Sequence, residues 1–389
     1  MSRFTKIILS ILGVLLIAHI VLVATYNTHL YKGLMNTYFT GKTGPTIDEY
    51  QIFYNRHIPA SDPKPWPQSS QYNKLSISKQ YLDSAEMLHS TAFLVFRNDS
   101  LLFEKYWEVY NKDTISNSFS MGKTVVSILL GIAIKEGKIN SLDQKVSDFL
   151  PQYKEGLAAE LTIKNLVSMS SGFNFDEPYK DPFGSPAKAY YGNDLKELIT
   201  HYECVKKPGE IFEYRSCTTL LLSFLLEKAT GMKIADYAAK HLWGQIHAEH
   251  EALWNLDHED GDEKSFSSFY ATARDFARIG KLYLDSGRVD GKAIVNEDYA
   301  LASVQPTKLI DELNNQPNDR YGYGWWLTTY RGHKIFSPIG LNGQYVICIP
   351  DYNIMIVRLG RERITTEGHK LPDDFYLYLN TVFDMLKLK

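Results

Sequence analysis

Cysteine is scarce in this chain, with three in 389 residues at positions 204, 217 and 348. Three scattered thiols cannot build a disulfide framework, and an odd number leaves at least one unpaired. The fold must therefore rest on its core. Cys217, directly after Tyr214-Arg215-Ser216, is expected to be a small buried hydrophobe rather than a nucleophile. Net charge is small too: −3, from 42 basic and 45 acidic residues, with no long block of one sign. Nothing here suits a nucleic-acid partner. Internal repeats and low-complexity segments are also missing, which leaves an ordinary globular chain long enough for a large core.

What is present begins with an uncharged apolar run, IILSILGVLLIAHIVLVATY at residues 7–26, preceded by Arg3 and Lys6, with His19 as its one awkward central member. That length spans a bilayer as a helix. Leu22-Val23-Ala24 is a poor small-x-small cleavage site, so residues 1–30 read as an uncleaved signal anchor, with a cleaved signal peptide and a buried core helix as alternatives. The positive-inside rule then places residues 27–389 outside the cytoplasm, periplasmic or extracellular, although Lys32 and Lys42 weaken the asymmetry.

Residues 31–74 read as a connector, since HIPASDPKPWPQSS at 57–70 holds four prolines that forbid a continuous helix, with Trp66 as its point of packing. A hairpin is predicted over 92–110 around Arg97-Asn98-Asp99-Ser100. Helical patterns follow at 120–136, 162–169, 217–230, 233–243 and 273–286. Strand-like sequence returns at 321–330, 333–340 and 344–360, before an amphipathic helix near 373–388. Strands at both ends with helices between imply an α+β domain over 75–389. Its antiparallel sheet draws on both chain ends, and an all-helical subdomain is inserted at roughly 138–290.

Within this frame the pattern S-x-x-K occurs four times, at Ser61/Lys64, Ser76/Lys79, Ser120/Lys123 and Ser185/Lys188. A serine hydroxyl needs a base, and a lysine serves as one only where burial or nearby cations leave its amine neutral. Residues three apart share a helix face, and a serine at a helix start sits beside free N–H groups that stabilise an oxyanion. Only Ser120 is followed by a long apolar helix, TVVSILLGIAI, able to bury such a pair. Ser61 lies among prolines, Ser76 precedes the hairpin, and Ser185-Pro186 looks like a helix cap. Further along, Tyr214-x-Ser216 stands directly before a second apolar helix, where a tyrosine can relay protons. In FSPIGLNGQYVICIP (336–350), Gly340 and Gly343 remove side chains where a strand edge could approach a nucleophile. The same glycines would serve an ordinary turn.

Taken in order, these three features resemble the serine β-lactamase and penicillin-binding-protein superfamily, with its S-x-x-K, then Y-x-N or S-D-N, then K-T-G. The tyrosine version resembles the class C branch with its esterase, D-aminopeptidase, carboxypeptidase and 6-aminohexanoate-dimer hydrolase relatives. Supporting stretches include LTIKNLVSMSSGFNFDE (161–177), KPGEIFEYRS (207–216) and YGYGWW (321–326). The resemblance implies a β-lactamase/transpeptidase-like fold without metal or cofactor. Ser120 would be the acylated nucleophile, Lys123 its base, and Tyr214 the acid or base for the deacylating water. The N–H groups of Ser120 and Leu341 would form the oxyanion hole. Tyr190, Tyr191, Trp325 and Trp326 would line the substrate pocket beside Ser216, although each taken singly reads first as core packing.

Two departures matter. Ser216 replaces the asparagine of many relatives, and Pro338-Ile339-Gly340 keeps only the glycine of K-T-G. A proline offers a substrate carboxylate neither charge nor donor. This turns the expectation from β-lactams toward a linear ester or amide, unless Arg215 or Arg358 replaces the cation. The alternatives are a peptidoglycan DD-carboxypeptidase or D-amino-acid peptidase, a β-lactamase, and a catalytically inactive envelope binding protein. His247-x-x-His250 and the acidic DHEDGDE (257–263) invite a metal reading, but a solvated loop is expected.

Overall fold

The computed structural model describes residues 1–366 and 368–389. Its main sheet is antiparallel, in the order Trp326–Tyr330, His333–Ser337, Gln344–Ile349, Ile354–Gly360, Ser90–Arg97, Ser100–Tyr106, with the short Ile339–Gly340 pairing on Gln344–Ile349. Both ends of the domain thus complete one sheet. The predicted hairpin turns at Asn98 and Asp99, whose φ values of 47° and 64° suit the mirror-image turn that matches strand twist. Strand Ile354–Gly360 is buried throughout because both faces are covered, which is why it reads as one apolar run. Met355, Val357 and Leu359 face the core that includes Phe276 and Ile279 of helix Ala273–Leu284. Ile354 and Ile356 face the opposite core, with Phe375, Leu379 and Val382 of helix Asp373–Leu386.

A second antiparallel sheet, Asn55–Ile58, Ala252–Asn255, Phe269–Thr272, Ile115–Asn117, departs from the expected organisation in two ways. The stretch read as an extended connector supplies the edge strand Asn55–Ile58, and Trp66 is buried against Phe96. Nor is the region 138–290 purely helical, because ALWN and FYAT form fully buried strands within it. Four residues buried on both faces carry no alternation, so the sequence pattern could not separate them from helix or loop.

Helix Gly122–Lys135 runs through the centre of the protein, with 12 of its 14 residues buried. A helix apolar all round is a core helix, and this one packs on helix Ser216–Thr230. Gly131 allows its close passage past Tyr299, since a Cβ there would stand 2.5 Å from Tyr299 Cδ1 and from Val295 Cγ1. Helix Arg3–Ala24 is long and apolar enough to cross a membrane, and none of its residues is buried against the rest.

Gly131→Ala is expected to destabilise the domain by about 1–3 kcal/mol through overpacking, more than the ~1 kcal/mol of helix propensity it gains. Urea unfolding of both proteins measures the difference.

Candidate active site

Strand Ile115–Asn117 delivers the chain to Ser118, Phe119 and Ser120. The Asn117 carboxamide organises the turn: its Nδ2 donates to the hydroxyls of Tyr190 and Tyr270, each at 3.1 Å, and its Oδ1 accepts from Phe119 N–H at 2.9 Å. Phe119 is held at φ 44°, a left-handed conformation that costs an L-residue on the order of 1 kcal/mol. Ser120 is thereby presented, half-buried, in the 3-10 turn Phe119–Met121 that opens the central helix.

One turn on, Lys123 donates to Ser120 Oγ at 3.1 Å and to the Phe266 carbonyl at 2.8 Å. Its side chain lies beneath Ser120 with the ammonium 5.0 Å from the Tyr214 ring centroid. Lys123 is only 3% exposed. Burial pushes its amine down to about 8, against the pull of the nearby Glu177 carboxylate. At pH 7 about a tenth of the amines are neutral, ready to accept a proton.

Tyr214 packs on Tyr321 and Trp326, with ring centroids at 5.8 and 5.2 Å, those two rings also touching each other, and its hydroxyl pairs with Ser120. Burial raises the phenol well above its ordinary value, so it stays protonated. Glu177 is a site residue that the sequence did not single out. Its carboxylate accepts from the Ser216 N–H, and from Ser216 Oγ at 3.3 Å, at the N-terminus of helix Ser216–Thr230. A carboxylate suits the positive end of that helix. Burial nevertheless raises its pKa, opposed first by the charge of Lys123. Ser216 is therefore engaged with Glu177 at the pocket wall, and its backbone donor is not free for substrate.

From the sheet side, a Cβ on Gly340 would collide with the Ser118 carbonyl, so only glycine lets this strand edge approach the turn that carries Ser120. The approach brings Leu341 to the pocket beside Ser120. Gly343 has a different task. At φ 81° it turns the chain, and a Cβ there would strike Arg358, whose guanidinium donates to the carbonyls of Leu88, Asn342, Gly343 and Glu362. Arg215 forms a two-pronged pair with Glu312, at 3.1 and 2.8 Å. Neither arginine is therefore free to replace the missing lysine, whereas Arg363, overlooked in the sequence, lines the cleft and its charge is felt at Tyr214.

Two cavities meet at Ser120. One, of about 420 Å³, is lined by Phe119, Tyr190, Tyr191, Phe266 and Leu341, with helix His29–Asn36 on its far side. The other, of about 300 Å³, is lined by Glu177, Tyr214, Trp326 and Arg363. Tyr190 and Tyr191, both largely buried, line the first cavity. Trp325 does not: it is 0% exposed and packs on Tyr283 and Phe336, while Trp326 reaches the cleft. Neighbours at a strand start point to opposite faces, and the sequence alone left the parity open.

The competing motifs are placed elsewhere. Ser61, Lys64, Ser76 and Lys79 are exposed, and Ser185 pairs with Asp176 and Tyr202. His247 pairs with Asp62 and Asp290, and His250 with Asp113 and Asp275, so the two do not converge. The acidic run 257–263 is not the solvated loop expected. Asp257, Asp262 and Glu263 are buried, Asp262 pairing with Lys196 and Lys233 and Glu263 with Arg56, so the run ties several segments together. Cys217 is buried in the core, as its apolar setting predicted.

The chain is similar to several known proteins. The 6-aminohexanoate-dimer hydrolase of Paenarthrobacter ureafaciens is 27% identical over 317 residues, covering 75% of this chain and 78% of that protein. A Bacillus anthracis structure provisionally described as a 6-aminohexanoate-dimer hydrolase superposes with a TM-score of 0.74 at 19% identity, covering 87% of this chain and 92% of its own. A family VIII carboxylesterase follows with a TM-score of 0.62 at 12% identity, covering 82% of this chain and 99% of its own. The family model described as Beta-lactamase matches residues 80–375, a span that takes in the serine turn, Tyr214 and the Gly340 strand edge together, and the chain belongs to the Beta-lactamase family of serine hydrolases.

Proposed function

We propose that this protein is a membrane-anchored, extracytoplasmic serine hydrolase that cleaves a linear ester or amide through an acyl-enzyme on Ser120. The observation that carries the reading is the buried Lys123 amine, 3.1 Å from Ser120 Oγ and depressed to about 8. In acylation the neutral amine takes the Ser120 proton as the oxygen attacks the substrate carbonyl carbon. The N–H groups of Ser120 and Leu341 receive the developing oxyanion. Tyr214, kept as a phenol by burial, hands its proton to the departing alkoxide or amine and is reprotonated by the Lys123 ammonium. The C–O or C–N bond breaks and the acyl group stays on Ser120. Water then attacks the ester carbonyl and gives up a proton through the same pair, releasing the acid and restoring Ser120.

Pro338 removes the usual cation from the strand edge, and Arg215 and Arg358 are committed elsewhere, which supports a substrate other than a β-lactam. The relatives named for dimer hydrolysis and carboxylester cleavage point the same way. One observation favours a second reading: Arg363 beside Tyr214 would suit the carboxylate of a D-amino-acid peptide. Turnover of short-chain esters, D-amino-acid peptides and nitrocefin by the full chain separates these substrates, and efficient nitrocefin hydrolysis would overturn the first.

A fluorophosphonate probe is expected to label Ser120, located by mass spectrometry, with a loss of roughly 10²–10⁴ in rate for Lys123→Ala. Folded protein that resists labelling would instead be the inactive binding protein. Because only the neutral amine accepts the proton, the labelling rate should rise with pH through about 8. Glu177 holds the Lys123 pKa up, so Glu177→Gln should move that inflection to lower pH.

A further inference from the structure

One wall of the larger cavity comes from outside the matched hydrolase domain. Helix His29–Asn36 begins five residues after the apolar helix Arg3–Ala24 ends, and His29, Leu30, Gly33 and Leu34 line the cavity above Ser120. The connection has no slack. The Tyr26 ring lies 4.4 Å from His201, His29 Nε2 is 2.8 Å from the Pro182 carbonyl, and Lys32 Nζ sits 4.1 Å over the Phe53 ring. Gly33 passes against the Tyr191 ring, with Cδ2 of that ring 3.4 Å from where a Cβ would be.

The same helix folds back on the apolar one. Tyr31 hydroxyl lies 3.0 Å from Nδ1 of His19, which gives the one polar side chain in the middle of the apolar run a partner. That bond draws helix His29–Asn36 level with the last turns of the apolar helix, which in an inserted molecule would set it near the headgroup layer. The helix and the 3-10 turn Tyr38–Thr40 after it expose apolar side chains: Tyr31, Leu34 and Tyr38 are exposed, Leu34 and Tyr38 at the cavity itself, while Met35 is 62% exposed and Phe39 76%. Across the mouth Tyr179 is exposed as well, beside Lys180 and Asp181, with Phe183 exposed close by in sequence. An apolar rim of this size, rich in aromatics and continuous with a membrane-length helix, matches a surface that rests in the headgroup layer.

We infer that the cavity receives the alkyl chain of an amphiphilic ester or amide directly from the bilayer surface, entering between residues 34–38 and residues 179–181, beyond the end closed by the His29–Pro182 contact. This rests on the serine-hydrolase reading above and adds to it the class of acyl group and the phase that supplies it. The chain would lie along Leu30, Leu34, Tyr190 and Tyr191, with its carbonyl at Ser120 and its polar leaving group toward Tyr214 and Arg363.

The test uses the full chain in phosphatidylcholine vesicles and two fluorophosphonates that differ only in an ethyl or a hexadecyl chain, with the Ser120 adduct followed by mass spectrometry. The hexadecyl probe is expected to label about tenfold faster or more, a small part of what burying its methylenes can supply. The double variant Met35→Asp/Phe39→Asp, at two rim positions that line neither cavity, should keep the ethyl rate within about twofold and lose roughly fivefold or more of the hexadecyl rate. Equal rates for the two probes, or a double variant that slows both alike or neither, would overturn the inference and leave the hydrolase intact. Labelling by neither probe would overturn both.

Discussion

The amine of Lys123 acts as a base only while it is neutral, and it is kept near neutrality by exclusion of water at the centre of the protein. Burying a charge costs several kcal/mol unless partners are supplied. Here the Phe266 carbonyl, the Ser120 hydroxyl, the Tyr214 ring face and the Glu177 carboxylate supply them, and the balance stops near 8. Most of the surrounding architecture follows from that requirement. The helix carrying Lys123 has to be apolar on every side, the Gly340 strand edge has to close against Ser118, and Tyr214 has to be packed on aromatic rings.

What the sequence disclosed and what it hid divide along the range of the interactions. Ser120 and Lys123 sit three apart on one helix, and the hairpin around Asn98-Asp99 turns on two adjacent residues, so both were legible. The order Ser120, Tyr214, Gly340 was legible only through family resemblance, because nothing local joins them. Glu177 and Arg363 come from irregular segments with no periodicity, and only the fold brings them to Ser120. Trp325 was misplaced for another reason: the sequence contains both sides of a strand start and does not say which faces the cleft, and the structure turns Trp326 to it and Trp325 away. The acidic run at 257–263 looked solvated because its lysine and arginine partners, Lys196, Lys233 and Arg56, are distant in sequence.

The two cavities at Ser120 divide the chemistry between them. Apolar and aromatic side chains dominate the walls on the helix His29–Asn36 side, whereas Glu177, Tyr214 and Arg363 gather on the other. A carbonyl at Ser120 would then straddle a greasy half and a charged half. This polarity also explains how Ser216 can stand in for asparagine. Its backbone and hydroxyl anchor Glu177, so the contact surrendered to substrate is exchanged for a carboxylate that steadies both the second helix and Lys123.

The four residues between Ala24 and His29 form a very short leash. With Tyr26 already docked on His201, the catalytic domain of an inserted molecule could neither swing nor reach outward. Its encounters would be those of a plane, set by how many substrate molecules share each patch of bilayer and by lateral diffusion, and dilution of the surrounding solution would leave its rate untouched.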